Sequence, residues 1–249
     1  MPAPKPDRIS LHPRAVERAM DLRAFQDAFA DRFSAQVINS PMYELWDPIV
    51  IRKLDPCFDV DGKLSFKKQQ LLSLAFAFLE EGESYFEIGT YRGKSLISAM
   101  IDNPPRPVFA CDNFSQFEDN TFEVLKANLA KYNLSDRVTF HNCDFLETYT
   151  TKRLPIPIGF YFYDGAHDFN SQYEAIKRVE PFLANEAIVL VDDWRLAEDS
   201  DSYAKAATLK AAAESSQSWE LLHELPARFN GDCAMWWNGV GVLSFRRTS

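Results

Sequence analysis

The sequence has no excess of basic residues. Its 249 residues include 27 lysines and arginines against 36 aspartates and glutamates, which gives a formal net charge of −9. A protein that binds a nucleic-acid backbone needs a basic field to neutralise the phosphates. The charge balance therefore argues against a nucleic-acid partner, although a local basic patch is compatible with this average.

Long apolar runs are absent as well. No stretch approaches the roughly 20 residues of a transmembrane helix, and the first thirty residues lack the uninterrupted apolar core of a signal peptide. We therefore expect a cytoplasmic protein that does not enter a membrane. The apolar content of 46% is sufficient for one full-sized core.

Closely spaced cysteines are also missing. The chain has four cysteines that stand far apart, without a Cys-x-x-Cys pair: Cys57, Cys111, Cys143 and Cys233. Zinc sites and small disulfide frameworks depend on such pairs or on dense cysteine patterns. We expect reduced, mostly buried thiols that contribute to packing.

Short, continuously apolar runs are what the sequence does have from residue 66 onward. They are SYFEI, PVFACD, RVTFHNCD, IGFYFYD and AIVLVDD, followed by WELLHELPA and VGVLSF. Runs that are apolar throughout indicate strands buried on both faces, as in a parallel sheet. We predict an α/β fold with a doubly wound, seven-stranded sheet, made of five parallel strands and a terminal antiparallel hairpin.

The first 64 residues have a different texture. They carry a proline-rich start, a helical stretch from about Pro13 to Phe33, and segments punctuated by Pro, Asp and Gly. We predict that residues 1–64 form an N-terminal helical cap and that residues 65–249 form the main domain.

The Gly-x-Gly-x-x-Gly pattern of dinucleotide-binding turns is absent. Instead, FEIGTYRGKS (86–95) places Gly89 and Gly93 between the first buried strand and an apolar helix. Glycines there let a ligand approach the backbone, although a tight turn alone would also explain them. The spacing argues against a pyrophosphate ligand and therefore against a nicotinamide-dependent dehydrogenase.

Carboxylates recur at the ends of the strands. Glu87 belongs to the first strand, Asp112 is predicted to end the second, and Asp144 is predicted to end the third. A carboxylate in the place of Asp112 can accept both hydroxyls of a ribose. Each of the two aspartates can equally be the N-cap of the following helix.

These residues together resemble the class I S-adenosylmethionine-dependent methyltransferases. FEIGTYRGKS looks like the first motif of that family, CDN like its ribose-binding acid and NCD like its adenine-side position, and the resemblance covers roughly residues 66–245. It implies a Rossmann-like fold, S-adenosylmethionine as cofactor, and Glu87 beneath the loop as an orienting residue. It assigns the methionine part of the cofactor to Gly89, Thr90, Tyr91, Gly93 and Ser95, the ribose to Asp112, and the adenine to Cys143 and Asp144.

Three further aspartates follow the fourth and fifth strands. Asp164 comes after YFY, and Asp192 and Asp193 end AIVLVDD. Carboxylates brought together repel one another unless a positive group lies among them, and an all-oxygen set selects a hard cation such as Mg²⁺. The hypothesis is a magnesium site formed by these three residues. The alternative is a helix cap at Asp164 and a solvated loop at the other two.

The spacing of the three aspartates is similar to that of the metal ligands in catechol O-methyltransferase and in the antibiotic-sugar O-methyltransferases, and Asp193 matches the sugar enzymes. Where those sugar enzymes carry an aspartate base this chain has Ala166, and where the catechol enzyme carries a lysine base it has His167. Because imidazole titrates near neutral pH, His167 is the candidate base beside Asp164. It could equally be a loop histidine that bonds Asp168 or the backbone.

The resemblance implies an enzyme that methylates a small-molecule hydroxyl with the help of Mg²⁺, such as a vicinal diol, a sugar or a catechol. Two alternatives stay open: a metal-independent N- or O-methyltransferase, and a non-catalytic nucleotide-binding partner protein. The expected partner is a small molecule, and a homo-oligomer is compatible with the sequence. Aromatic residues could wall the acceptor, although buried structural use is the alternative for each: Tyr43, Trp46, Trp194, Trp236 and Trp237.

Overall fold

The computed structural model describes residues 19–41, 48–116, 120–195 and 203–248. The helices are α1 (Leu22–Arg32), α2 (Ala35–Asn39), α3 (Pro48–Leu54), α4 (Phe66–Ala77), α5 (Lys94–Met100), α6 (Thr121–Lys131), α7 (Phe169–Val179) and α8 (Ala204–Ala213). The strands are β1 (Ser84–Ile88), β2 (Val108–Cys111), β3 (Val138–His141), β4 (Ile158–Tyr163), β5 (Leu183–Asp192), β6 (Ser218–Leu225) and β7 (Val240–Arg246).

The seven strands form one sheet in the order β3-β2-β1-β4-β5-β7-β6. β1 to β5 run parallel, and β7 is inserted antiparallel between β5 and β6. This confirms the predicted doubly wound α/β fold with five parallel strands and a terminal antiparallel pair. The chain moves outward from β1 to β3 and then returns to β4, so the strand order reverses beside β1, where folds of this kind bind ligands.

The register aligns the ends of the central strands. Ile88 pairs with Cys111 on one side and with Tyr163 on the other, and Tyr163 pairs with Val191. β1 and β4 are buried along their whole length, as the continuous apolar runs predict. The residues that follow these strands therefore meet at one edge of the sheet.

Three boundaries differ from the sequence prediction. The helix predicted from about Pro13 begins at Leu22, because Asp21 adopts an extended conformation and its side chain caps the helix by accepting from the Ala24 amide. Residues 13–18 lie outside the described residues. β3 ends at His141, so that Asp144 lies beyond the strand, and β5 begins earlier than its apolar run, at Leu183.

The helices of residues 22–39 pack onto the main sheet and share its apolar core. Phe29 stacks on His223 of β6 with ring centroids 3.9 Å apart, and Phe33 meets the edge of Trp236. The buried Lys67 of α4 donates to the carbonyl of Val37 and, at 2.6 Å, to that of Ser40. Lys67 thus ties the carboxyl end of α2 to the domain.

A bilayer-spanning helix is not found among the described residues, since none of their helices combines the necessary length and apolar character.

Candidate active site

A cavity of about 300 Å³ opens where the strand order reverses. It lies at the carboxyl ends of β1, β2, β4 and β5, and it extends from the glycine turn to the aspartates after β4 and β5. Most of the residues predicted for the site line it: Gly89, Thr90, Tyr91, Ser95, Asp112, Cys143, Asp144, Asp164, His167, Asp192 and Asp193. The fold therefore brings the predicted cofactor end and the predicted acceptor end into one cavity.

The glycine turn passes very close to the end of β4. Gly89 has φ +84°, and a Cβ added there would lie 1.9 Å from the backbone oxygen of Asp164, so only glycine fits. Gly93 does not line the cavity. It is the left-handed N-cap of α5, and a Cβ there would lie 2.6 Å from Leu125 Cδ1.

Thr90 follows Gly89 in the turn. The residue is buried and belongs to the cavity lining, and its hydroxyl has no hydrogen-bond partner among the described residues. A buried polar atom without a partner is costly, and ligand binding is one way to satisfy it. Because this hydroxyl is itself shielded from the cavity, a bound molecule can reach it only after the turn adjusts.

Glu87 lies beneath the turn and outside the cavity lining. One of its carboxylate oxygens accepts from Ser95 Oγ at 2.6 Å, and the other accepts from the Tyr85 hydroxyl. Burial raises the pKa of Glu87 to about 7, while these two hydrogen bonds oppose the shift. Glu87 thus lies beneath the turn, where the resemblance places it, and its role toward the cofactor stays a prediction.

Replacement of Glu87 by Gln tests this burial through the pH dependence of stability. A raised pKa means that the folded state holds the proton more tightly, so the native protein loses stability as pH rises from the ordinary glutamate value toward about 7. We expect the free energy of unfolding of Glu87→Gln to rise relative to that of the native protein over this range, by up to about 3 kcal/mol at pH 8. Urea unfolding at pH 5 and pH 8 measures the difference. The exposed Glu220→Gln is the control, and a difference independent of pH would contradict the prediction.

Asp112 follows β2 and holds the turn in place. Its Oδ2 accepts from the Tyr91 amide and its Oδ1 from the Phe114 amide, both at 2.8 Å. A carboxylate has about four acceptor positions, so two remain for hydroxyl groups in the cavity.

Asp144 and Cys143 lie beyond β3. Asp144 caps a short 3-10 helix, Phe145–Glu147, by accepting from the Leu146 amide at 2.9 Å, which agrees with the capping alternative and leaves it lining the cavity. Arg153 Nη1 lies 2.6 Å from Cys143 Sγ, and the Cys111 thiol donates to the Cys143 carbonyl. All four cysteines are free thiols, but the expectation that they are mostly buried is wrong: Cys57 and Cys111 are buried, Cys143 is half-buried and Cys233 is exposed.

The three aspartates predicted to form a metal site do converge, and all of them line the cavity. Asp192 forms a buried ion pair with Lys68 of α4. Burial first, and then the neighbouring carboxylates of Asp192 and Asp193, hold the pKa of Asp164 well above its usual range. The repulsion inferred from the sequence is therefore present, but a lysine already lies among the acids.

Asp193 is held by two side chains. Its Oδ2 lies 2.5 Å from His167 Nε2, and its Oδ1 accepts from Asn238 Nδ2 at 2.7 Å. Although burial opposes the change, the hydrogen bond from His167 lowers the pKa of Asp193, and the same bond raises the pKa of His167. Asp193 has φ +54°, a conformation that non-glycine residues rarely adopt and that often occurs at functional sites.

His167 forms a hydrogen bond with Asp193, whereas the alternative given from the sequence was a hydrogen bond to Asp168 or the backbone. Asp168 instead caps α7 and accepts from the Ser171 amide at 3.0 Å. The half-exposed His167 ring faces the cavity at its acidic end. One ligand atom each from Asp164, His167 and Asp193 lie within 4.8 Å of one another.

Two site residues escape the sequence reasoning. Lys68 belongs to a helix whose residues are buried almost throughout, and adjacent lysines ordinarily indicate a solvated face. Asn238 comes from the segment before β7, which no motif marks. The only available signal is that α4 is too apolar around its lysines to lie on the surface.

The aromatic residues divide between core and cavity. Trp194 and Trp236 are buried, which agrees with their structural alternative, while Trp237 lines the cavity. Tyr43 and Trp46 lie outside the described residues.

Residues 86–194 match the family model described as a methyltransferase domain. No curated protein matches the chain in sequence. Among solved structures, the chain is similar to the O-methyltransferase TomG from Streptomyces achromogenes, involved in tomaymycin synthesis and solved with S-adenosylmethionine, at 17% identity, a TM-score of 0.54 and coverage of 92% of this chain and 100% of that one.

Two other solved structures show the same fold. The O-methyltransferase from Bacillus cereus in complex with S-adenosylhomocysteine (SAH) has 16% identity, a TM-score of 0.53 and coverage of 90% of this chain and 97% of that one. The SAH-bound Podospora anserina methyltransferase PaMTH1 has 14% identity, a TM-score of 0.53 and coverage of 82% and 89%. These structures share the fold of the chain, and the family match places a methyltransferase domain at residues 86–194.

Proposed function

We propose that the protein transfers the methyl group of S-adenosylmethionine to an oxygen of a small molecule. The observation that carries the proposal is the single cavity that joins the glycine turn to the Asp164, His167 and Asp193 cluster. A cavity of about 300 Å³ is at the lower end of the range for small-molecule sites.

The end of the cavity beside the glycine turn has hydrogen-bonding groups that a cofactor can use. The Asp112 carboxylate keeps acceptor positions for two ribose hydroxyls, and the Thr90 hydroxyl has no hydrogen-bond partner among the described residues. Asp144 and Cys143 line the part of the cavity that we assign to the adenine. Because Gly89 has no side chain, the methionine part of the cofactor can approach the backbone there. Gly93 and Glu87 do not line the cavity and support the turn from the side away from it.

At the acceptor end, His167 is the proposed general base. Since its Nε2 faces Asp193, the other ring nitrogen is the one that accepts the acceptor's proton. The acceptor oxygen forms a bond to the methyl carbon while the bond from that carbon to sulfur breaks, and S-adenosylhomocysteine leaves. Asp193 orients the ring and stabilises the imidazolium that results, and the enclosing cavity holds the reacting atoms in line.

The predicted magnesium set does not fit this arrangement. Asp192 is engaged by Lys68, and the ligand atoms that lie close together include an imidazole nitrogen, whereas Mg²⁺ prefers oxygen ligands throughout. In the proposed reaction His167 and Asp193 therefore handle the proton without a metal ion. The same observation favours the metal-independent alternative.

Cofactor binding is tested by calorimetric titration of S-adenosylmethionine. Because charge-assisted hydrogen bonds contribute about 1.5–3 kcal/mol each, we expect Asp112→Ala to weaken binding by about 10- to 100-fold. The exposed Asp136→Ala is the matched control and should bind as the native protein does. Equal affinity in all three proteins would refute the assigned ribose position. Transfer of a labelled methyl group to a panel of hydroxylated acceptors then tests the reaction itself.

A further inference from the structure

The buried Lys68 lies directly against the acid cluster. Its side chain is 0% exposed, and that of its partner Asp192 is 3% exposed. An ammonium group so far from water is very unfavourable unless an anion faces it at close range. Lys68 and Asp192 therefore depend on each other, although 124 positions of sequence separate them.

Asp193, the carboxylate next to Asp192, also has hydrogen-bond partners within the protein. Both oxygens of Asp193 have hydrogen-bond donors, one from His167 and one from Asn238. A divalent cation at such a cluster would offset the repulsion between carboxylates and polarise an acceptor oxygen. Offsetting the repulsion is a role that Lys68 already fills.

We propose that the Lys68 ammonium group is the resident cation of this cluster, so that the enzyme transfers methyl groups without a divalent metal. The inference rests on the proposed function and names a property of the same site. Lys68 touches Asp192, and no contact with the reacting atoms is required, so it acts as a positioning residue. A divalent ion placed among the same acids would face like-charge repulsion from Lys68 in a poorly solvated environment.

The acceptor class follows from this assignment. A metal ion would bind two neighbouring oxygens of the acceptor and so select a vicinal diol or a catechol. Without it, recognition falls to the side chains that line the cavity, among them His167 and Trp237. The acceptor therefore needs only one hydroxyl group, and a compound with a single phenol or alcohol is expected to be methylated as readily as its vicinal dihydroxy analogue.

The test is a calorimetric titration of the full-length protein with Mg²⁺ and then Mn²⁺, in the presence of saturating S-adenosylmethionine. The native protein is expected to give no saturable signal, and chelator is expected to leave methyl transfer unchanged. Lys68→Met removes the charge at nearly constant volume and leaves Asp192 unpaired. We expect this variant to bind Mg²⁺ at least about tenfold more tightly than the native protein.

Lys67→Met is the matched control. Lys67 is the adjacent buried lysine, but it contacts the carbonyls of Val37 and Ser40 and no member of the acid cluster. It is expected to respond to metals as the native protein does, which separates loss of a buried lysine from loss of the charge at the cluster. Circular dichroism and cofactor titration show whether each variant is folded.

Stoichiometric Mg²⁺ binding by the native protein, or loss of activity in chelator, would overturn the proposal. So would a folded Lys68→Met protein that binds cofactor but remains indifferent to Mg²⁺. If Lys68→Met does not fold, the Mg²⁺ titration of the native protein tests the proposal. Lys68→Arg then serves as the variant that keeps the charge, and we expect it not to bind Mg²⁺. The metal titration needs no methyl acceptor. It therefore tests whether Lys68 replaces a divalent metal even if the protein does not methylate hydroxyl groups.

Discussion

Replacement of His167 by Ala is expected to lower the rate of methyl transfer by about 10²- to 10⁴-fold, the usual contribution of a positioned general base. His167 lies 2.5 Å from Asp193 at the acidic end of the cavity, and it is not one of the residues assigned to the cofactor. S-adenosylmethionine affinity should therefore stay at the native value. The measurement is single-turnover transfer of a labelled methyl group, with cofactor affinity determined separately by calorimetry.

The adjacent Asp168→Ala is the control for His167→Ala. Asp168 caps α7 and does not line the cavity, so its loss is expected to lower stability by about 0.5–2 kcal/mol without slowing transfer well below the unfolding temperature. Native transfer rates in His167→Ala would remove His167 as the base. Parallel losses of rate and cofactor affinity would instead assign it a structural role. A native protein that binds cofactor and methylates nothing would favour the non-catalytic binding protein.

Gly89→Ala is expected to abolish detectable cofactor binding and to lower the free energy of unfolding by about 2–5 kcal/mol, which combines overpacking with a positive φ. The added methyl group would lie 1.9 Å from the Asp164 carbonyl oxygen, so the turn and β4 must move apart. Movement there displaces Thr90 on one side and Asp164 on the other. Cofactor calorimetry and urea unfolding measure the two effects.

Gly231→Ala isolates the conformational part of the Gly89 effect. Gly231 has φ +77°, but a Cβ there would meet only Trp237 Cζ2, at an ordinary 3.9 Å. We expect a loss of about 1 kcal/mol and unchanged cofactor affinity. If Gly89→Ala behaved like Gly231→Ala in both measurements, the close approach of the glycine turn to β4 would not matter for binding.

The sequence was sufficient to predict the fold and the position of the cavity, because both follow from apolar runs and from what comes next in the chain. Asp112, Asp164 and Asp193 each follow a buried strand, and parallel strands bring such residues to one edge. Site residues that lie on other elements do not follow a buried strand, so the sequence does not mark them. Lys68 comes from a helix before β1, and Asn238 comes from the segment before the last strand.

The acid cluster shows how this difference affects a functional hypothesis. Repulsion among Asp164, Asp192 and Asp193 requires a positive group, and strand-end patterns alone leave an external cation as the natural candidate. The structure places Lys68 against Asp192, a contact between residues that no spacing rule connects. The need for positive charge was thus predictable, whereas its source depends on packing.

Adjacent positions of α4 hold two distant parts of the molecule. Lys67 donates a hydrogen bond to a carbonyl just after α2, and Lys68 forms an ion pair with Asp192 at the end of β5. The two lysines share one rigid helical turn, so a shift or tilt of α4 alters both attachments at once. The position of α2 and the position of Asp192 are therefore coupled through the placement of a single helix.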